Sequence, residues 1–220
     1  LKKRISFTTG TFNYYKFKKL KTIASSYAGF YDDFDFNVFN SYAEKFELNL
    51  NKRVNELSAG MSVKFSLALA LSHGAEIFIF DEPTSGLDPV AREEILDLFT
   101  EIVSDGKKSI LFSTHITEDL EKCADYILYI RKGEIIFDKQ KDELLDGHAL
   151  IKGGLDDLNE QLEQAAISIK TNSFGFSGLI ERSALELLRE ENLLSANIVT
   201  EKPTLDDVTV FYERAGGNKQ

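Results

Sequence analysis

Four short runs of this sequence carry side chains suited to acting on a phosphate. Leu57-Ser58-Ala59-Gly60-Met61 opens an apolar stretch. Ile77 to Phe80 leads into Asp81-Glu82, Ser85-Gly86-Leu87-Asp88 follows at once, and Ser113-Thr114-His115 closes a second apolar run. An apolar strand ending in Asp81 sets a carboxylate at the carboxyl edge of a parallel sheet, where the ligand sites of α/β proteins form. There Asp81 can hold Mg²⁺, usually through water, beside nucleotide phosphates. Glu82 is then placed to orient, or take a proton from, a water that attacks the terminal phosphate. His115, at the next strand end, can reach the same edge and hydrogen-bond that phosphate or steady the water. Ser58 and Gly60 begin a helix, where backbone N–H groups attract an anion and a small residue lets it approach closely. Each feature alone has an ordinary structural explanation: acids end many strands, a lone histidine is more often structural, and serine is a common helix cap. Their joint order and spacing are what argue for chemistry.

The elements needed to position these residues are legible in the surrounding pattern. Residues 3–8 read as a short strand. Gly60 to Ser72 is apolar almost all round and reads as a buried helix. Ile77–Phe80 reads as a central strand. Asp88 then caps a helix with Pro89 at its first position and Ile95, Leu98, Phe99, Ile102 and Val103 on one face. Ser109–Phe112 is the next strand, and a helix follows His115. Strands at Tyr126–Ile130 and Glu134–Phe137 flank a tight Arg131-Lys132-Gly133 turn. This order predicts an α/β fold with a mainly parallel sheet. Residues 12–46 hold many aromatic rings at helical spacing, and about two helices with a turn near Asp32-Asp33 are expected there, as a small subdomain with an aromatic core.

Beyond about residue 150 the texture changes. Helices are expected over Leu155–Ala165 and Glu181–Glu191, and short strands at Ile167–Lys170 and Asn197–Thr200. A final helix begins after Thr204, with Asp207 three residues on as a variant capping box. Cys123 falls on a buried helix face, His73 in a turn or on the surface, and His148 in a glycine-containing loop.

Composition narrows the function. The 220 residues are 43% hydrophobic and 28% charged, the balance of a soluble globular chain. A net charge of −10 argues against a nucleic-acid partner, which would call for a basic face. No stretch is apolar and long enough to span a bilayer. A single cysteine points to a reducing compartment.

The run LSAGMSVKFSLALALSHGAEIFIFDEPTSGLDP, followed by ILFSTH, resembles the ATP-binding cassette (ABC) family, in particular the ATPase subunits of bacterial single-cassette ABC transporters. The resemblance extends from residue 3 to about 145, and the tail with EKPTLDD is less specifically similar to a C-terminal extension. It implies a P-loop NTPase-like, mainly parallel sheet with an inserted helical subdomain, the N-terminal part missing, and a small α+β C-terminal extension. Residues 1–149 would be a partial nucleotide-binding domain, with a helical subdomain at about 12–72, and residues 150–220 an accessory region. The cofactors would be ATP and Mg²⁺. Asp81 would be the metal-associated Walker B aspartate, Glu82 the catalytic base and His115 the switch histidine. Ser58, Ala59 and Gly60 would form the signature motif that contacts the ATP held by an opposite cassette, and Asp88 would lie in the loop at the dimer interface. The partners would be a second cassette, identical or not, and transmembrane permease subunits met by the helical subdomain. The place would be the cytoplasmic face of the cell membrane.

Three departures from the family pattern qualify this. The signature reads LSAGM, with Met61 at a usually polar position. The glutamine of the loop after the first strand would fall near Gly10, which offers no side-chain oxygen. Third, no G-x-x-x-x-G-K-[ST] loop occurs: Gly106-Lys107-Lys108-Ser109 comes nearest, but position 101 is Glu. The expectation is therefore an N-terminally truncated cassette that is poorly soluble and inactive by itself. The alternative is a non-hydrolysing cassette that serves as a regulatory or inert partner of an intact one.

Overall fold

The computed structural model describes residues 4–9 and 15–217, and the chain packs as two compact units, Leu1–Ile116 and Thr117–Gln220. The glutamine-loop position at Gly10 lies outside the described residues.

The first unit is built on a three-stranded parallel sheet, β1 (Ile5–Thr9), β2 (Ile77–Asp81) and β3 (Ser109–Ser113), with β2 in the centre. Two helices cross between β1 and β2: α1 (Leu20–Ala28) and α2 (Phe36–Lys45). They precede α3 (Ala59–Ser72), and α4 (Pro89–Val103) then joins β2 to β3. Phe78 and Phe80 of β2, with Ile110 and Phe112 of β3, face the core that α3 and α4 cover. Phe80 stacks on Phe99 of α4 at 5.1 Å between ring centroids. The hydrophobic character of α3 on every side is explained by what surrounds it, since α2 and α4 both pack on it and Phe65, Leu67 and Ala68 are fully buried. Side chains of odd number point to the other face of this sheet, and there Phe7 and Leu111 remain 65% and 62% exposed.

The expected aromatic core of the helical insertion is present. Tyr27 stacks on Tyr31, and Phe34 meets Phe36 and Phe39. His73 lies in the turn after α3, one of the two places expected for it, but it is not at the surface: it is only 3% exposed and stacks on Tyr31 at 3.9 Å. The flat rings presented by α1 and the residues after it draw the imidazole into that core, which a periodicity confined to α3 does not reveal.

The second unit begins with α5 (Thr117–Cys123) and an antiparallel hairpin, β4 (Tyr126–Arg131) and β5 (Glu134–Gln140). Lys132 and Gly133 both have positive φ, as the two-residue turn between such strands requires. After α6 (Lys141–Asp146), a four-stranded antiparallel sheet runs in the order β7-β8-β6-β9. Its strands are β6 (His148–Gly153), β7 (Ala166–Asn172), β8 (Gly175–Glu181) and β9 (Val199–Glu201). The short helix α7 (Glu160–Ala165) and α8 (Arg182–Glu190) supply Leu162, Leu185 and Leu188 to the core on one face. On the other, α9 (Leu205–Gly217) contributes Leu205, Val208 and Phe211 to a core shared with Ile127 of β4 and Phe137 of β5. That shared core explains why compact packing divides after Ile116 and not near residue 149. Thr204 and Asp207 cap α9 reciprocally: the Asp207 N–H donates to the Thr204 hydroxyl at 3.1 Å and the Thr204 N–H to the Asp207 carboxylate at 2.9 Å.

His148 is not in a loop. It opens β6, 3% exposed, with Nδ1 donating to the Leu144 carbonyl at 2.7 Å and Nε2 placed 3.0 Å from the Tyr212 hydroxyl. Strands β6 and β8 carry no alternating pattern because both faces of their sheet are covered, so His148-Ala149-Leu150-Ile151 are all buried. Gly178 further masks β8, because a Cβ there would sit 2.9 Å from Ile169 Cγ1. Cys123, expected on a buried helix face, is half-buried, and burial pushes its thiol up to about 11.

Leu179 is fully buried in β8 and Phe174, at the β7–β8 turn, is 94% exposed. Leu179→Ala is expected to cost about 2–5 kcal/mol in urea unfolding, and Phe174→Ala about 0.5 kcal/mol or less. Asp157 is held below the usual carboxylate range, first by the Ser195 hydroxyl at 2.6 Å and then by the Asn197 amide. Its contribution is present above the ordinary carboxylate pKa of about 4 and is lost as pH falls through the lower folded value. Acid titration of Asp157→Asn should therefore show a flatter fall in stability below that pH than the parent chain.

Candidate functional site

The parallel pairing of β2 with β3 sets Asp81 opposite Ser113 at the carboxyl ends of both strands. Side-chain contact follows directly: the Ser113 hydroxyl donates to Asp81 Oδ1 at 2.6 Å. The same hydroxyl oxygen accepts the Glu82 backbone N–H at 3.1 Å, and the Ser113 carbonyl accepts it too at 3.1 Å. Glu82 needs that grip, since its φ of 50° is the left-handed conformation that a side-chain-bearing residue adopts only at a cost of about 1–2 kcal/mol. The turn thrown by this residue carries its carboxylate to His115, whose Nδ1 lies 2.9 Å from one oxygen and 3.0 Å from the other. A carboxylate only accepts, so Nδ1 is the protonated nitrogen in this contact and Nε2 is left for another partner. The pair is open to solvent, with the His115 side chain 71% exposed. It therefore orients the two groups more than it stabilises the fold.

The remaining expected residues form a second group where two helices begin. Ser58 is the N-cap of α3 and accepts the Met61 N–H at 3.2 Å. Asp88 is the N-cap of α4, accepting from Val90 and Ala91 at 3.1 and 3.0 Å, with Pro89 after it as expected. Ala59 is exposed and Gly60 buried. A Cβ on Gly60 would stand 3.4 Å from Ala91 Cβ and 3.8 Å from Leu87 Cδ2, so this position keeps the two helix starts close together. Gly86, at φ 74°, makes the turn between Glu82 and Asp88.

Thus the structure joins Asp81, Glu82 and His115 in one hydrogen-bonded set, and places Ser58, Ala59, Gly60 and Asp88 around the adjoining starts of α3 and α4. Sequence reasoning did not single out Ser113 for a role. The signal was available, because aligning the two apolar strands in parallel by their polar ends puts Ser113 beside Asp81.

The donor set fits Mg²⁺. Carboxylate and hydroxyl oxygens are the hard ligands that this ion prefers, and it is commonly held by one or two carboxylates plus substrate phosphates and water. No group of three or more His, Cys, Asp or Glu side chains suited to enclosing a metal occurs among the described residues.

A parallel sheet with a polar carboxyl edge, an inserted helical region and small additional β and α elements is the architecture of the ABC-type ATPases of the P-loop NTPase class. A solved structure of cbiO1 from Clostridium perfringens, part of the ABC transporter complex cbiONQ, superposes with a TM-score of 0.55 over 66% of this chain and 60% of that one. At 20% identity that likeness shows the fold alone. A protein family described as "AAA domain, putative AbiEii toxin, Type IV TA system" matches residues 1–118, more than half of the chain, and the chain belongs to that family. It is also related to several ABC transporter ATP-binding proteins. The lantibiotic transport ATP-binding protein SrtF of Streptococcus pyogenes is 37% identical over 95 residues, which is 43% of this chain and 41% of SrtF. The ABC transporter ATP-binding protein YtrB of Bacillus subtilis is 29% identical over 196 residues, 86% of this chain and 65% of YtrB. The chain thus spans less than two thirds of either relative.

Asp88 holds two N–H groups of α4, so Asp88→Ala is expected to lower unfolding stability by about 1 kcal/mol. Asp88→Asn keeps the cap and should retain most of it, as urea titration of both variants would show.

Proposed function

We propose that this chain is the hydrolytic part of an ATP-binding subunit that powers an ABC membrane transporter. The observation that carries the reading is the hydrogen-bonded set Asp81, Ser113, Glu82 and His115 at the carboxyl edge of parallel strands. In the reaction a water oxygen bonds to the terminal phosphorus of ATP as the bond from that phosphorus to the ADP oxygen breaks. Glu82 orients this water and takes its proton. His115, turned by its Nδ1 contact with Glu82, offers Nε2 to an oxygen of the same phosphate, donating there when the ring carries both protons. Asp81 would hold Mg²⁺ through water, and the bound ion would offset the charge on the phosphates.

Ser58, Ala59 and Gly60, at the start of α3, would meet the ATP of a second cassette, with Asp88 beside them at the shared face. The phosphate-gripping loop would come from outside residues 1–220. Among the described residues, Phe7, Ile77 and Leu111 stand exposed on the odd-numbered face of the β1-β2-β3 sheet, which supports this because parallel sheets are ordinarily covered on both faces. Function need not divide where packing does: residues 1–149 would serve nucleotide chemistry, the helical part at about 12–72 would meet permease subunits, and residues 150–220 would be accessory. No helix of the described residues is long and apolar enough to cross a membrane. On this reading the chain would act at the cytoplasmic face through the permease subunits. The transport names of its curated relatives favour this reading over a toxin one.

Glu82→Gln in the full-length protein should cut ATP turnover by roughly 10²- to 10⁴-fold while leaving ATP binding in place. Phosphate release and equilibrium nucleotide binding check the two halves of that expectation. Turnover unchanged by the substitution would contradict the reading.

A further inference from the structure

Ser113 stands between the two acidic residues of the site and touches both. Its one hydroxyl proton is committed to Asp81 Oδ1 at 2.6 Å, since a carboxylate can only accept. Its oxygen in turn accepts from the Glu82 N–H at 3.1 Å, which fixes the peptide from which the strained Glu82 turn departs. The strand register delivers the hydroxyl, because Ser113 and Asp81 are direct partners at the ends of β3 and β2. A chain of contacts therefore runs from Asp81 through Ser113 to Glu82, and from the Glu82 carboxylate to His115. With its proton given to Asp81 and one of its two lone pairs taken by the Glu82 N–H, Ser113 is arranged to set the geometry of those groups.

We infer that Ser113 is a positioning residue that couples the two halves of the site, holding the Asp81 carboxylate in one orientation for metal-bound water and locking the Glu82 backbone so that its carboxylate faces the reacting phosphate. The inference rests on the ATPase reading above and adds to it a residue that the four-run pattern left without a role. Removing the hydroxyl frees Asp81 Oδ1 and leaves the Glu82 N–H with the Ser113 carbonyl alone.

The test compares Ser113→Val with Ser113→Thr in the full-length protein. Both residues are β-branched and suit a strand, and only threonine keeps the hydroxyl. Ser113→Val is expected to lower kcat roughly 10- to 100-fold, the rate equivalent of losing a hydrogen bond to a charged group. It should also raise the Mg²⁺ concentration for half-maximal turnover, with KM for ATP at saturating Mg²⁺ little changed. Ser113→Thr should restore both. A readout independent of turnover is Mn²⁺ binding, followed by electron paramagnetic resonance in the presence of a non-hydrolysable ATP analogue: weaker in Ser113→Val, restored in Ser113→Thr. A fall in kcat with unaltered metal dependence would mark a merely structural role and overturn the inference, as would a threonine variant as impaired as the valine one. Glu82→Gln run alongside separates the two levels. If it abolishes turnover while Ser113→Val behaves as the parent, only the role of Ser113 falls; if turnover survives it, the ATPase reading falls and takes this inference with it.

Discussion

The parallel register of β2 against β3 is the constraint on which the rest of the first unit depends. Side chains alternate faces along a strand, so a slip of one residue would turn Phe78 and Phe80 out of the core and carry Asp81 away from Ser113. The apolar side chains that anchor the sheet to α3 and α4 are thereby the same ones that fix where the polar edge falls. Stability and site geometry are set together, through Phe80 stacked on Phe99 in the core and, one residue further along the same strand, Asp81 bonded to Ser113.

From that edge the chain makes a strained turn. Glu82 takes a positive φ, held because its N–H meets both the hydroxyl and the carbonyl of Ser113. The strain is local and its effect is directional, since it brings the carboxylate to His115. The segment from Glu82 to Asp88 then re-enters regular structure through an aspartate cap and Pro89. Close approach at Gly60 keeps the start of α3 beside that of α4. Two helix starts and one sheet edge thus come together from segments that are separate in sequence.

Much of this was readable beforehand, and for physical reasons. The central strands announce themselves as apolar runs ending in polar residues, α4 by its cap and its apolar face, and α9 by the reciprocal Thr204–Asp207 pair. The expected Asp81, Glu82 and His115 assemble because strand ends in a parallel sheet share one edge. What escaped the sequence depended on contacts between distant segments. His73 is buried by the rings of Tyr27 and Tyr31, and no local period shows that. Strands β6 and β8 lie between two layers, so alternation is missing, and at Gly178 the strand has no side chain because Ile169 occupies the space. The hairpin β4–β5 reads as a continuation of the preceding α/β pattern, whereas its buried Ile127 and Phe137 share a core with α9.

The proposed site of ATP hydrolysis is the edge where Asp81, Ser113, Glu82 and His115 meet. Its most direct test is a structure of the full-length protein with Mg²⁺ and a non-hydrolysable ATP analogue. The terminal phosphate is expected within hydrogen-bonding reach of His115, with the Glu82 carboxylate facing it and the metal on the Asp81 side. A nucleotide bound elsewhere, with this edge vacant, would contradict it.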